Sequence, residues 1–326
     1  MKKINLTLIA FFIFSLTGFS QTEDFTPSGK PLMRIFTNYH SSFSDGKTNS
    51  AFEVDRVYLG YEYDFSKNFS AKANIDIGDP GAGKLQMTAY LKNAFLKYQT
   101  KKFTASFGLI STNQFSVQEN FWGYRYIEKS FQDAYKFNSS ADLGVSATYK
   151  FNAVLSADMI IANGEGYKNL QNDSVFRTGF GLTIKPLKNL TTRIYYDYST
   201  KENTQSSIAA FAGYATSNFS LGVEYNKMLN SDFEENHDLN GTSVYITLKA
   251  SKKLNLFARF DQLMSNTISG DLNDWNIAKD GQLYIAGLEY IAVKGVKLAP
   301  NFKGWNPADP NSKFVSTFYL NCEIKF

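Results

Sequence analysis

Apolar and polar residues alternate with a period of two through most of this chain, in segments of about ten residues. In FSAKANIDIG, Phe69, Ala71, Ala73, Ile75 and Ile77 fall on one face of an extended strand, and Ser70, Lys72, Asn74 and Asp76 on the other. ADLGVSATYKF repeats the pattern, with Leu143, Val145, Ala147 and Tyr149 opposite Asp142, Ser146, Thr148 and Lys150. Similar runs near 33–43, 52–63, 89–98, 103–110, 153–163, 174–185, 190–199, 206–215, 219–228, 242–250, 254–263, 282–291, 296–303 and 314–326 give about sixteen strands. Roughly ten residues is the length a tilted strand needs to cross a bilayer. Hydrocarbon tolerates strands only when every backbone N–H and C=O is paired in a sheet without edges. The pattern therefore predicts an all-β fold, a transmembrane antiparallel up-and-down β-barrel. A soluble β-sandwich also alternates, but it has no need of such uniform apolar faces.

The connections support closure. Short turns such as DFSKN, QTKK, PLKN, TSN and SKK follow every second strand, and long polar loops come between them. That asymmetry is the arrangement of an outer-membrane barrel, with short turns in the periplasm and long loops outside. Aromatics make up 16% of the chain while mean hydropathy is only −0.29, which suits a wall wet on one side. Tyr61, Tyr63, Phe69, Tyr98, Phe103, Tyr149, Phe151 and Phe219 sit where strands meet turns and fit one interfacial girdle; Tyr196, Tyr198 and Tyr225 fit the other. At the N-terminus, Lys2 and Lys3 precede the short apolar run INLTLIAFFIFSL, and small residues lead up to Ser20. These features predict a signal peptide over residues 1–20 and a single barrel domain over 21–326.

Other chemistries find little support. GDPGAGK at 78–84 has the glycine and lysine spacing of a phosphate-binding loop, but Leu85 replaces the hydroxyl residue that would hold Mg²⁺. The stretch after it, LQMTAYLKNAFLKY, has a spacing that also admits a helix. The only cysteine is Cys322, so no Cys-based metal site can form. The acidic stretch SDFEENHD lacks an ordered ligand spacing, so no metal or cofactor is expected. Net charge is +4, falling by two without Lys2 and Lys3, and with no basic tract nucleic acid is not an expected partner. His40 and Ser42 share a strand face, as the base and nucleophile of an outer-membrane hydrolase would, yet no third orienting residue follows, so an enzyme is not expected.

FEVDRVYLGYEYDFSKNFSAKANIDIG, LKNAFLKYQTKKFTASFGLI before a long loop, VEYNK, LFARFDQL and YIAGLEY together resemble the phosphate-selective porin family, the porin O and P type, over residues 52–326. The resemblance implies a sixteen-stranded porin, assembled as a homotrimer in the Gram-negative outer membrane, whose long third loop folds into the lumen. Such a channel passes small hydrophilic solutes, neutral or anionic, with phosphate among them. Its surroundings would be outer-membrane lipid and lipopolysaccharide. The last strand, FYLNCEIKF, resembles the signal read by the barrel-assembly machinery. The loop at about 111–139 carries Glu119, Arg125, Glu128, Lys129 and Asp133, charges suited to an eyelet. Among lumen-facing positions, Arg56, Arg177, Arg193 and Arg259 join Arg125 and Lys129 as a candidate positive track. Basic and acidic lumen positions nearly balance, however, so pairing across the wall is the competing reading. A structural or adaptor barrel of a secretion or adhesion complex is the alternative function.

Overall fold

The computed structural model describes residues 25–78 and 87–326. The expected signal peptide and residues 79–86 of the glycine-rich loop lie outside the described residues. Before the long loop come β1 (Ser28–Ser44), β2 (Lys47–Asp64), β3 (Phe69–Gly78), β4 (Thr88–Gln99) and β5 (Phe103–Ser111). After it come β6 (Ala141–Lys150), β7 (Leu155–Ala162), β8 (Arg177–Leu187), β9 (Leu190–Thr200), β10 (Thr204–Ala215) and β11 (Phe219–Leu229). The chain finishes with β12 (Leu239–Lys249), β13 (Leu254–Ser265), β14 (Gly281–Val293), β15 (Val296–Pro307) and β16 (Val315–Lys325). These sixteen strands of the described residues form one closed antiparallel barrel in sequence order. β1 closes the ring on β16 in a register running from Arg34–Lys325 to Phe43–Ser316. Met33 and Phe326 then exchange two backbone hydrogen bonds of 3.2 Å, which pairs the seam to its last residue.

The two faces separate as the alternation requires. Phe69, Leu91, Leu96, Phe107, Leu143 and Val145 are exposed on the outside, whereas Ser70, Asn74 and Asp76 are buried within. Such an exterior is the surface that hydrocarbon wets. Aromatic pairs ring the short-turn end, including Phe69–Tyr98 at 4.9 Å, Tyr149–Phe151 at 5.0 Å and Tyr214–Phe219 at 5.8 Å. At the opposite end Tyr196 and Tyr198 stack at 6.0 Å.

Residues 88–99, read as a strand although their spacing also admits a helix, form β4. Two features depart from the sequence reading. Two connections at the long-loop end are tight: β1 turns into β2 through Asp45 and Gly46, both at positive φ, and β9 reaches β10 through residues 201–203. The lumen is also not uniformly polar. Residues 112–140 run inside the barrel, with short helices α1 (Ser116–Trp122) and α2 (Phe131–Ala134). Their Trp122, Tyr124, Tyr126 and Ile127 form a buried cluster with inward-facing Phe36, Phe211, Tyr245, Phe257 and Ile285 of the wall. A second cluster joins Phe131 and Phe137 to Met228, Leu239 and Leu263. The inner loop is thus seated by apolar burial on the β10–β15 side of the lumen. Glycines supply the sockets: a Cβ at Gly241 would stand 1.9 Å from Phe131 Cζ, and one at Gly213 would stand 2.6 Å from Phe121 Cε2.

Candidate functional site

Three arginines of the wall share one arrangement. Arg177 on β8 holds Asp197 through Nε at 3.0 Å and Nη2 at 2.6 Å, and Nη2 also donates to the loop carbonyl of Phe137 at 3.2 Å. Arg193 on β9 grips both oxygens of Asp158 at 2.6 and 3.0 Å and donates to the carbonyl of Asn113 at 2.9 Å. Arg259 on β13 pairs with Asp261 at 2.8 and 2.6 Å and donates to the carbonyl of Lys129 at 2.6 Å. The Arg193 and Arg259 side chains are 2% and 0% exposed, so both lie behind the inner loop, away from open solvent. A planar guanidinium suits this double duty, because its forked donors hold a carboxylate with one edge and leave other N–H groups free. Lys303 adds a fourth tie, to Ile127 O and, at 3.0 Å, to Glu128 Oε2. Tyr126 OH donates to Glu289 Oε2 at 2.9 Å.

The charges on the inner loop are also paired. Arg125 meets Asp133 at 3.0 Å and Glu119 at 3.4 Å. Burial raises the Glu119 carboxyl above its ordinary value, and Arg125 offsets this only in part. For Glu128 burial pushes the same way, but Lys303 and Arg259 beside it hold the carboxyl below its ordinary value. Burial lowers the Lys129 ammonium despite Asp133 nearby.

Opposite the inner loop, two β-bulges change what β2 and β4 present to the lumen. Arg56 pairs with Phe36 and Val54 with Thr37, which leaves Asp55 as the extra residue of β2. Asn93 pairs with Asn74 and Leu91 with Ile75, which leaves Lys92 as the extra residue of β4. A bulge re-aims a side chain that strict alternation would send outward. Lys92 and Asn93 are accordingly both buried although adjacent. The Lys92 ammonium donates to Ser140 Oγ and lies 4.0 Å from the centroid of the Tyr167 ring. No carboxylate of the described residues lies within ion-pair distance of it. Tyr167 comes from another loop, residues 163–176, and its OH donates to Asp76 Oδ2 at 2.9 Å, the oxygen that also accepts from Arg56 at 3.3 Å.

Two cavities meet at this cluster. One, of about 560 Å³ at the long-loop end, is lined by Arg56, Lys129, Lys136, Tyr167, Lys168 and Lys201 among others. The other, of about 380 Å³ toward the short turns, is lined by Arg34, Tyr58, Lys72, Lys92, Glu119 and Arg125 among others. Ser140 lines both, so the two cavities adjoin there. Of the residues expected at a constriction, Arg56, Glu119, Arg125 and Lys129 border these cavities. Arg177 borders the upper cavity while paired to Asp197, Glu128 is tied to Lys303, and Arg193 and Arg259 sit behind the loop. Sequence reasoning missed Lys92, Ser140 and Tyr167.

At the other candidate, Ser42 Oγ is 2.8 Å from Thr317 Oγ1, and His40 Nδ1 is 3.1 Å from Asn38 Oδ1. No cluster of His, Cys, Asp and Glu suited to a metal occurs among the described residues.

No family model matches the chain, and no curated protein matches it. Solved structures do. OprB of Pseudomonas putida superposes with a TM-score of 0.70 at 10% identity, over 91% of this chain and 94% of that one. The anion-selective porin of Comamonas acidovorans gives 0.68 at 9% identity, over 92% of this chain and 100% of that one. The fold is that of a porin barrel. The trimer form of OmpT, an outer membrane protein of Vibrio cholerae, gives 0.60 at 13% identity, over 92% and 100%. At such identities the shared property is the porin barrel fold.

Proposed function

We propose that this porin-like barrel is an outer-membrane diffusion channel for small hydrophilic solutes, with a preference for small anions, phosphate among them. The observation that carries the reading is the pair of open cavities that share Ser140, beside which Lys92 has no carboxylate partner among the described residues. Basic side chains continue on both sides of this junction, the proposed throat. Lys136 and Lys168 stand above the throat, and Arg34 and Lys72 stand below. A passing anion would meet weak successive contacts without one deep trap, which conduction requires. The candidate positive track is accordingly Lys92 and Lys129, while Arg56 and Arg125 border the same cavities paired to Asp76 and to Asp133 and Glu119. Arg193 and Arg259 serve to hold the inner loop. The apolar exterior fits outer-membrane lipid, with lipopolysaccharide at the outer rim. The terminal strand fits recognition by the assembly machinery, and the trimer form of the Vibrio OmpT barrel supports a homotrimer. Planar-bilayer recording of the purified protein in a KCl gradient tests the reading. Discrete conductance steps with a reversal potential of anionic sign are expected, and a silent bilayer would favour the adaptor barrel instead.

A further inference from the structure

We infer that Tyr167, reaching in from the loop 163–176, sets the size limit of the throat, so that the constriction belongs to two loops and not to the inner loop alone. This rests on the channel reading above. Four contacts fix the residue. Its backbone N–H donates to Ala141 O at 3.0 Å, its OH donates to Asp76 Oδ2 at 2.9 Å, the Lys92 ammonium lies 4.0 Å from its ring centroid, and Tyr90 meets it edge-on at 6.4 Å. Gly164 and Gly166, at φ of 94° and 77°, give the backbone the left-handed turns that carry the chain down to this point. A side chain held by a hydrogen bond at its tip, a cation on its face and a backbone bond at its root has little freedom to swing aside for a solute. The ring is half-buried and borders the upper cavity, and the lysine on its face bonds Ser140, which borders both cavities. Removing the ring therefore widens the passage at this point and leaves the arginine ties to the inner loop in place.

The test compares Tyr167→Ala, Tyr167→Phe and Leu170→Ala in the full-length protein. Leu170 lies on the same loop and is 84% exposed. Single-channel conductance and liposome swelling with sugars of rising size are read for each, with circular dichroism to show an intact barrel. Tyr167→Ala is expected to raise conductance roughly twofold and admit larger sugars. Leu170→Ala should stay near the parent protein, and Tyr167→Phe, which keeps the ring on Lys92 but frees its tip from Asp76, should fall between the parent and Tyr167→Ala. A folded Tyr167→Ala channel with the parent's conductance and size limit would overturn the inference while leaving the channel reading intact. A parent protein that forms no pores would instead sink the channel reading.

Discussion

On the β8–β15 side of the lumen, Arg177, Arg193 and Arg259 are each locked to a neighbouring aspartate and to a carbonyl of the inner loop. On the β2–β4 side, Arg56 shares Asp76 with Tyr167, and Lys92 has a hydroxyl and an aromatic ring but no carboxylate of the described residues within ion-pair distance. The same residue types thus do two jobs, and the partner decides which. A cation that holds a buried carboxylate and also donates to a carbonyl of the inner loop becomes an attachment point, because breaking such a pair leaves an uncompensated charge. A cation without a carboxylate match, such as Lys92, leaves an unbalanced positive field at the cavity it borders. Counting inward-facing charges cannot distinguish these roles.

Four experiments sharpen or break that contrast. The largest effect is expected on the attachment side. Arg259→Gln leaves Asp261, itself 0% exposed, without its cation, at a cost of about 3–5 kcal/mol. Its unfolding midpoint in detergent should fall, with noisier current as the loop loses a tie. An unchanged midpoint would show that the pair does not secure the loop. Next comes Gly241→Ala, whose Cβ would collide with Phe131. Overpacking of roughly 1–3 kcal/mol should loosen the loop's seat and speed protease cleavage within residues 112–140. Cleavage at the parent rate would argue that the socket yields easily.

On the throat side, Lys92→Gln should lower the anion-to-cation permeability ratio by about tenfold, since a unit charge some 6 Å from a passing ion changes each sign's partition by roughly threefold. Lys136→Gln, in the wide upper cavity, should change it far less. Equal shifts would mean that the throat has no special place in selectivity. The smallest effect is with pH. Glu119 is raised, so it loses its charge sooner than an ordinary carboxylate as pH falls, which makes the throat more positive. Lys129 is lowered, so it loses its charge sooner than an ordinary lysine as pH rises, which makes the throat less positive. Anion preference should therefore grow by roughly twofold toward acid and shrink toward alkali. Reversal potentials that move the other way would contradict these placements.

The barrel was legible because lipid on one side and water on the other impose a period of two on every strand. The throat was less so. Leu91 and Ala94 are three apart, a helical spacing, because the bulge at Lys92 adds a residue to the strand. A bulge looks like broken alternation and gives no sign of where its side chain points. Tyr167 reaches Asp76 across 91 residues of sequence, and no local pattern records that contact. In LFARFDQL, Phe257 faces the lumen and Leu256 and Phe260 face outward, so apolar residues on both faces concealed the seat of the inner loop. Arg56, Arg125 and Lys129 could be picked out by charge and position. The same criteria also selected Arg193 and Arg259, whose aspartate partners lie on the wall beside them.

The central claim is that solutes cross on the β2–β4 side and not behind the inner loop. Its most direct test is thiol accessibility in a Cys322→Ser background, comparing Ser140→Cys at the throat with Ser243→Cys, buried beneath the loop. A charged, water-soluble thiol reagent should label Ser140→Cys quickly and reduce the current, and leave Ser243→Cys channels untouched. Equal labelling and equal block at both positions would contradict the account.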